Sequence, residues 1–354
     1  MRRRSFAALP LLLCLAAAAS AEPKSGKLLA AVPTNTVTAE EIRSLSTFFF
    51  EEYGASRAEL PVSAFHLEYA STDADGTDAR ISAQLFVPLY ASAVKRPILV
   101  FASGTTGVAD QCAPSLEQPQ IRRWGWYRAN MLSYAGEGFI TVFPDYLGFN
   151  DPGRSQRYFS KEAEAHVVLD AVRAVYGFFR KSSLKVSPAK IVFAAGYSQG
   201  GHAAFAAADL RPRYAPEVPL TGVIGFGCTA DITVLLREGP AYAPYILYSY
   251  SQIYGRQEID PALYLQDQWL SSLEADVNRM CVDEFQVYYP SDGRRLYRPE
   301  FYQALQENSL AASFPRLHAR LSENRSGLSG HGLPALIVQG LADIVVTTDS
   351  QTRF

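Results

Sequence analysis

The segment from Ile191 to His202 constrains the fold more tightly than any other. It reads Ile191-Val192-Phe193-Ala194-Ala195-Gly196-Tyr197-Ser198-Gln199-Gly200-Gly201-His202. An apolar run suited to a buried strand passes through Gly-x-Ser-x-Gly straight into a helical pattern. A serine held between strand and helix in so few residues needs a sharp turn, and the glycines beside it remove side chains that would collide there. The bare five-residue pattern arises by chance in roughly one chain in ten of this length. The strand before it and the helix after it give it weight.

The same strand type recurs along the chain. Pro97-Ile-Leu-Val-Phe-Ala, Phe139-Ile-Thr-Val-Phe-Pro, Lys190-Ile-Val-Phe-Ala-Ala-Gly, residues 220–226 and Pro334-Ala-Leu-Ile-Val-Gln-Gly are short and apolar on both faces. A parallel sheet covered on both sides requires such runs. Helical periods occupy 121–136, 161–180 and 200–210, so strands and helices alternate and the crossovers are right-handed. The expectation is an α/β-hydrolase-type doubly wound, mainly parallel sheet. Ahead of it, residues 38–53 form a helical candidate. Two alternating runs, 64–71 and 80–88, flank the turn-forming stretch Asp73-Ala-Asp-Gly-Thr-Asp and read as a β-hairpin. Residues 229–330 interrupt the rhythm with helical runs and many aromatics, among them Tyr242, Tyr245, Tyr248, Tyr250 and Trp269. An insertion of this size at the carboxyl edge of a sheet reads as a helical cap or lid over an apolar pocket; the plainer reading is a side domain with no part in binding. The expected division is a signal peptide (1–21), a first part of the core (22–228), the cap (229–330) and the acid-bearing end of the core (331–354).

The N-terminus carries Arg2, Arg3 and Arg4, then an apolar run to Ala18, then Ala19-Ser20-Ala21. This is the order of a secretory signal, with cleavage expected after Ala21 and a secreted or periplasmic product. A lipid anchor on Cys14 fits less well, because Leu13 stands where a small residue is required. The apolar run is short for a bilayer span, and no later stretch is long enough. Cleavage removes three arginines and takes the formal charge from −2 to −5, a poor match for nucleic acid. Export permits a disulfide, and of the remaining Cys112, Cys228 and Cys281 one must stay unpaired. Their spacing suggests no metal site, and no cofactor is expected.

The chemistry follows from chain order. Ser198 is the expected nucleophile. The backbone N–H of Gln199, at the start of a helix, faces a developing oxyanion. The loop after the first central strand, Ser103-Gly104-Thr105-Thr106-Gly107, should give the second amide; Thr106 is chosen, with Thr105 or Val108 as alternatives. Asp343, just past the last strand in Gly340-Leu-Ala-Asp343, is the expected acid, ahead of Asp349. A histidine should follow the acid, and none does. His66 lies in the hairpin, His166 mid-helix, His318 at the end of the cap and His331 before the last strand. His202 lies one turn beyond Ser198, as a packing or solvent-edge residue. The expectation is that the final helix and strand of the fold, and the base with them, lie beyond Phe354, and that the chain as written is nearly inactive. Loss of one triad member leaves a residual acceleration of about 10³–10⁴-fold over water.

These residues resemble the secretory lipases, the group of fungal lipase A-type enzymes and their bacterial relatives within the α/β-hydrolases. The resemblance rests on Gly104-Thr105-Thr106-Gly107 with Cys112-Ala113-Pro114-Ser115. It continues through Phe143-Pro144-Asp145-Tyr146-Leu147-Gly148, Glu162-Ala163-Glu164-Ala165 leading into Leu169-Asp170-Ala171-Val172-Arg173, the Ser198 segment and Gly340-Leu-Ala-Asp343. It implies hydrolysis of lipid or other acyl esters through an acyl-enzyme, a cap over an acyl tunnel, transient contact with a lipid interface, no metal, and a Cys112–Cys281 disulfide. The family's histidine has no counterpart in this sequence. Two other readings stand beside it: a peptidase or amidase on the same fold, and a non-catalytic lipid-binding relative.

Overall fold

The computed structural model describes residues 25–50, 54–118 and 124–354; the signal segment, Cys14 and Ala21 lie outside them. Eight strands form one sheet: β1 (Leu28–Val37), β2 (Val62–Thr72), β3 (Asp78–Pro88), β4 (Val94–Ala102), β5 (Ile140–Pro144), β6 (Val186–Tyr197), β7 (Leu220–Phe226) and β8 (Ala335–Val338). Their spatial order is β1-β2-β3-β5-β4-β6-β7-β8. The first three strands and the β3–β5 pair are antiparallel, and the run from β5 to β8 is parallel. The doubly wound, mainly parallel sheet expected from the strand pattern is therefore present.

Helix α1 (Ala39–Phe50) follows β1, and α2 (Tyr127–Gly136) connects β4 to β5. Helix α3 (Lys161–Phe179) connects β5 to β6, and α4 (Gln199–Tyr214) connects β6 to β7. The chain steps from β4 outward to β5, then returns across β4 to β6. Right-handed crossovers consequently place α2 and α3 on opposite faces, with α1 packed on α2 and α4 on α3. Two connections leave the carboxyl ends of β4 and β6 in opposite directions, and the gap between them is where open α/β sheets place their sites.

Local chemistry sets several boundaries. Thr38 and Glu41 cap α1 reciprocally: Thr38 Oγ1 accepts from the Glu41 amide (3.2 Å), and the Thr38 amide donates to Glu41 Oε2 (2.7 Å). The β2–β3 hairpin turns over Asp73–Thr77, with Gly76 at φ 86°. Strand β1 was not expected from the sequence. It is the sheet's edge, its side chains are mostly exposed, and it contains Pro33; an edge tolerates a proline and needs no alternation of apolar residues. Strand β8 is the other edge. Its apolar side chains Leu336, Ile337 and Val338 are exposed, unlike those of the central strands.

Between β7 and β8 the chain forms nine α-helices among the described residues: α5 (Ile232–Glu238), α6 (Ala243–Tyr254), α7 (Asp267–Leu270), α8 (Leu273–Arg279), α9 (Val282–Tyr288), α10 (Gly293–Leu296), α11 (Pro299–Gln306), α12 (Leu310–Ser313) and α13 (Pro315–Glu323). They have their own core, in which Tyr245, Tyr250, Tyr264, Phe285, Tyr297 and Phe301 are buried. Val108, Tyr158 and Phe159, from the loops after β4 and β5, belong to that core. The helical segment is thus seated on the loops at the carboxyl edge of the sheet. The Ser249 hydroxyl donates to Gln156 O (2.9 Å) and accepts from the Tyr158 amide (3.0 Å). A last helix, α14 (Thr348–Arg353), follows β8.

Beneath the sheet, Asp170 on α3 is fully buried and accepts from the Ser71 hydroxyl (2.8 Å), the Tyr214 hydroxyl (2.7 Å) and Arg173 Nη1 (2.8 Å). Burial pushes its carboxyl up, and the three donors pull it back. Asp170→Ala strands three donors and leaves the partly buried Arg173 with the exposed Glu217 as its one ionic partner among the described residues. Loss of one partner of a buried pair costs about 3–5 kcal/mol. Urea unfolding of Asp170→Ala should give an unfolding free energy lower by that amount, and a loss below about 1 kcal/mol would contradict this packing.

Candidate active site

Strand register builds the site. Ala102 pairs with Gly196, and Tyr197 with Phe226, which pairs in turn with Val338. Four strands therefore end side by side, and the residues just after them, 103–108, Ser198, Gly227 and 339–343, share one edge.

Ser198 is the N-cap of α4, with φ 52° and ψ −111°. A positive φ is unusual for a residue with a side chain and persists only where its surroundings enforce it. The enforcement is visible. The Ser198 amide donates to Phe226 O (2.8 Å), and the Ser198 carbonyl accepts from His202 N (3.2 Å) and Thr229 N (3.3 Å). A Cβ on Gly196 would fall 2.1 Å from Gly200 O, and one on Gly200 would fall 1.9 Å from Ala102 O. Both glycines of Gly-x-Ser-x-Gly are thus required by backbone contact. Ser198 is half-buried and Tyr197 is exposed. Gln199 is the first residue of α4, where the amide has no intrahelical acceptor.

The loop after β4 is pinned from several sides. The Gly104 amide donates to the Tyr127 hydroxyl (2.8 Å), so it is not a free donor. The Tyr146 hydroxyl donates to Ser103 O (2.5 Å), and the Thr105 hydroxyl bonds to that of Tyr158 (2.7 Å). Thr106 O accepts from the amide of Val282 in α9 (2.9 Å). The Thr105 and Thr106 amides have no acceptor among the described residues. The side-chain oxygens of Ser103, Thr106 and Thr229, with Gln199 Oε1, are buried without a partner among the described residues.

Cys112 and Cys281 form a disulfide, as the resemblance implied, joining the loop after β4 to the start of α9. Gly107, at φ 142°, lies against it; a Cβ there would be 2.7 Å from the Cys112 side chain. Cys228 is buried and unpaired. Burial pushes its thiol well up, and it packs where a Cβ on Gly201 would be 2.8 Å away.

Asp343 is half-buried on the loop after β8. Its Oδ1 accepts from the amides of Val345 and Val346 (both 2.9 Å). Its Oδ2 faces Gly227, 3.3 Å from where a Cβ would stand, and the Tyr197 ring is 3.5 Å from that same point. Asp343 and Tyr197 are therefore neighbours. Although the residue as a whole is exposed, protein atoms around its hydroxyl displace water and raise the Tyr197 phenol, and the Asp343 charge adds to the shift. Asp349, by contrast, is exposed on α14.

None of the five imidazoles is hydrogen-bonded to the side chain of Asp343 or Ser198. The Nδ1 of His166 meets Thr72 O (2.7 Å), and the ring stacks on Tyr214 at 3.7 Å. His331 Nδ1 accepts from the Leu333 amide (3.1 Å). His66 is on β2, and His318 is on α13. His202 is fully buried, as packing rather than at a solvent edge, with Nδ1 2.5 Å from Glu164 Oε2 and Nε2 2.6 Å from Asn324 O.

Sequence reasoning gave no role to Asp145. This buried residue follows β5 and accepts from the Ser115 amide (2.7 Å), the Ser115 hydroxyl (2.6 Å) and Asn150 Nδ2 (3.4 Å). It ties the Cys-Ala-Pro-Ser segment to the Phe-Pro-Asp-Tyr-Leu-Gly segment. The signal was available, since an aspartate directly after a buried apolar strand needs donors. Burial raises its carboxyl from 3.8 to about 6. Between those values the folded chain holds a proton that the unfolded chain has lost, so this contribution is greatest below pH 4 and disappears as pH rises through 6. The stability of the native chain relative to Asp145→Asn should therefore fall by about 3 kcal/mol between pH 4 and pH 7. Urea titrations at the two pH values check this, and parallel behaviour of the two proteins would contradict it.

Residues 129–290 match the family model of the secretory lipases. A secreted triacylglycerol lipase of Malassezia globosa is 29% identical over 159 residues, 42% of this chain and 32% of that protein. Lipase 7 of Candida albicans is 33% identical over 131 residues, 36% of this chain and 28% of its own length. The chain thus spans about a third of the length of these relatives. Among solved structures, the rice cell wall degrading esterase LipA of Xanthomonas oryzae superposes with a TM-score of 0.75 at 20% identity, covering 93% of this chain and 86% of that one. The resemblance read from the motifs is borne out, and so is the α/β-hydrolase fold.

Proposed function

We propose that this relative of the secretory lipases is an exported serine carboxylester hydrolase, with Ser198 as nucleophile. The observation that carries the reading is the Ser198 turn, a strained serine between β6 and α4 at the same strand ends as the Asp343 carboxylate. In acylation, Ser198 Oγ bonds to the ester carbonyl carbon as its proton leaves to a general base. The carbonyl oxygen takes the negative charge, facing the amides of Gln199 and Thr106. Collapse expels the alcohol, which takes up the proton, and water then releases the acid. Asp343 is assigned to orient the base, with Oδ1 held by two amides and Oδ2 toward the site. The aromatic helical segment 229–330, seated on the same loops, is assigned as the cap that receives an acyl chain.

The specific support for a non-catalytic lipid-binding alternative is that no histidine is bonded to Asp343. The two readings differ in the reactivity of Ser198. Triad members act as a unit, so a chain of residues 1–354 should hydrolyse p-nitrophenyl esters only about 10³–10⁴-fold faster than water, and Ser198→Ala should change that rate little. Unassisted by a base, Ser198 should still react slowly with a fluorophosphonate held against the oxyanion amides, seen after prolonged incubation as one phosphonylated peptide by mass spectrometry and lost in Ser198→Ala. No label would favour the non-catalytic reading. Ester turnover at ordinary enzyme rates, abolished by Ser198→Ala, would show that a base is present among these residues.

A further inference from the structure

Beneath the nucleophile turn lies a buried polar chain to which the reaction assigns no role. Glu164 on α3, Gln199 and His202 on α4, and Asn324 after α13 are all at least 96% buried. Glu164 Oε1 accepts from Gln199 Nε2 (2.7 Å) and from the Phe159 amide (3.0 Å). Glu164 Oε2 lies 2.5 Å from His202 Nδ1, and His202 Nε2 lies 2.6 Å from Asn324 O. Asn324 in turn accepts the Lys161 amide at the start of α3 (2.8 Å) and donates to the Tyr254 hydroxyl of α6 (2.7 Å).

The proton count follows from donor and acceptor types. A backbone carbonyl only accepts, so His202 Nε2 carries a hydrogen. Two lone pairs cannot face each other at 2.5 Å, so one more proton sits between Nδ1 and Oε2. It makes no difference to the count whether that proton is written on the imidazole or on the carboxyl. The pair is closed on every side: Oε1 has two donors, Oε2 has the shared proton, and the His202 ring packs nearly perpendicular to that of Phe159, itself at φ 54°. The Glu164–His202 pair is fully satisfied, while Gln199 Oε1 beside it has no partner among the described residues; a satisfied buried pair holds a single arrangement.

Gln199 is also the residue whose backbone amide faces the oxyanion in the reading above, on which this inference rests. We propose that Glu164 is a positioning residue: through the proton it shares with His202 and its bond to the Gln199 side chain, it sets the first turn of α4 and links it to the end of the helical segment. A displacement of about 1 Å in such a group can cost about 10²-fold in rate.

The test uses the full chain with ¹⁵N-labelled histidine. At pH 8, where an exposed imidazole is neutral, His202 should show a ring proton far downfield of ordinary amides, besides its Nε2 proton. Glu164→Gln should lose the downfield signal and keep the other, because the amide can donate to Nδ1. Glu164→Ala leaves Gln199 Nε2, the Phe159 amide and Nδ1 unpaired. The maximal rate of Ser198 phosphonylation should fall by up to about 10²-fold in Glu164→Ala, with the half-saturating probe concentration little changed, and Glu164→Gln should restore most of it. If Glu164→Ala does not fold, Glu164→Gln and the native spectrum still decide. Absence of the downfield proton from the native chain would overturn the inference, as would a folded Glu164→Ala that labels at the native rate. A native chain that shows the signal but never labels would overturn the Ser198 reading instead and leave the shared proton standing.

Discussion

The molecule depends on one close approach of backbone to backbone. Helix α4 starts so near the end of β4 that a single added carbon on Gly200 would meet Ala102 O at 1.9 Å. Only that proximity lets the helix begin in the residue after Ser198. It is also what holds Ser198 in a conformation disfavoured for residues other than glycine. Strain at one residue typically costs about 1–3 kcal/mol, and the hydrogen bonds from the Ser198 amide and to its carbonyl hold the turn against it. A serine at a relaxed turn would lie along the helix or the strand. At this one it stands at the sheet edge, beside amides without intrahelical acceptors.

The rest of the site is arranged so that the loop facing this turn cannot drift. The Tyr127 hydroxyl takes the Gly104 amide, the Val282 amide takes Thr106 O, and the Cys112–Cys281 bond fixes the loop's far end to α9. Asp145 anchors the segment that follows the disulfide. The helical segment is held to the core by the same contacts that shape this loop. A change in how that segment sits would reach the Thr106 amide through Val282 and Cys281, and the first turn of α4 through Asn324 and His202.

Much of this could be read from the sequence. The five parallel strands were visible because strands of a covered sheet are apolar on both faces, and Gly196 and Gly200 were legible because only glycine fits them. The position of Asp343 followed from strand order. Three features did not follow. Strand β1 is an exposed edge with a proline, so its residues carry no burial pattern. The supporting carboxylates Glu164 and Asp145 lie in the charged first turn of α3 and directly after an apolar strand, and their short side-chain hydrogen bonds come from Gln199, His202 and Ser115, 30 or more residues away. The Cys112–Cys281 pairing came from the family resemblance, since three cysteines alone leave the choice open.

The central claim is that the Ser198 turn exists to place negative charge from an acyl carbon against two backbone amides. A crystal structure of the Ser198 phosphonate adduct tests it directly. The phosphonyl oxygen should lie about 2.7–3.1 Å from the amide nitrogens of both Gln199 and Thr106. An adduct whose oxygen points to solvent, with neither amide within hydrogen-bonding distance, would contradict the account.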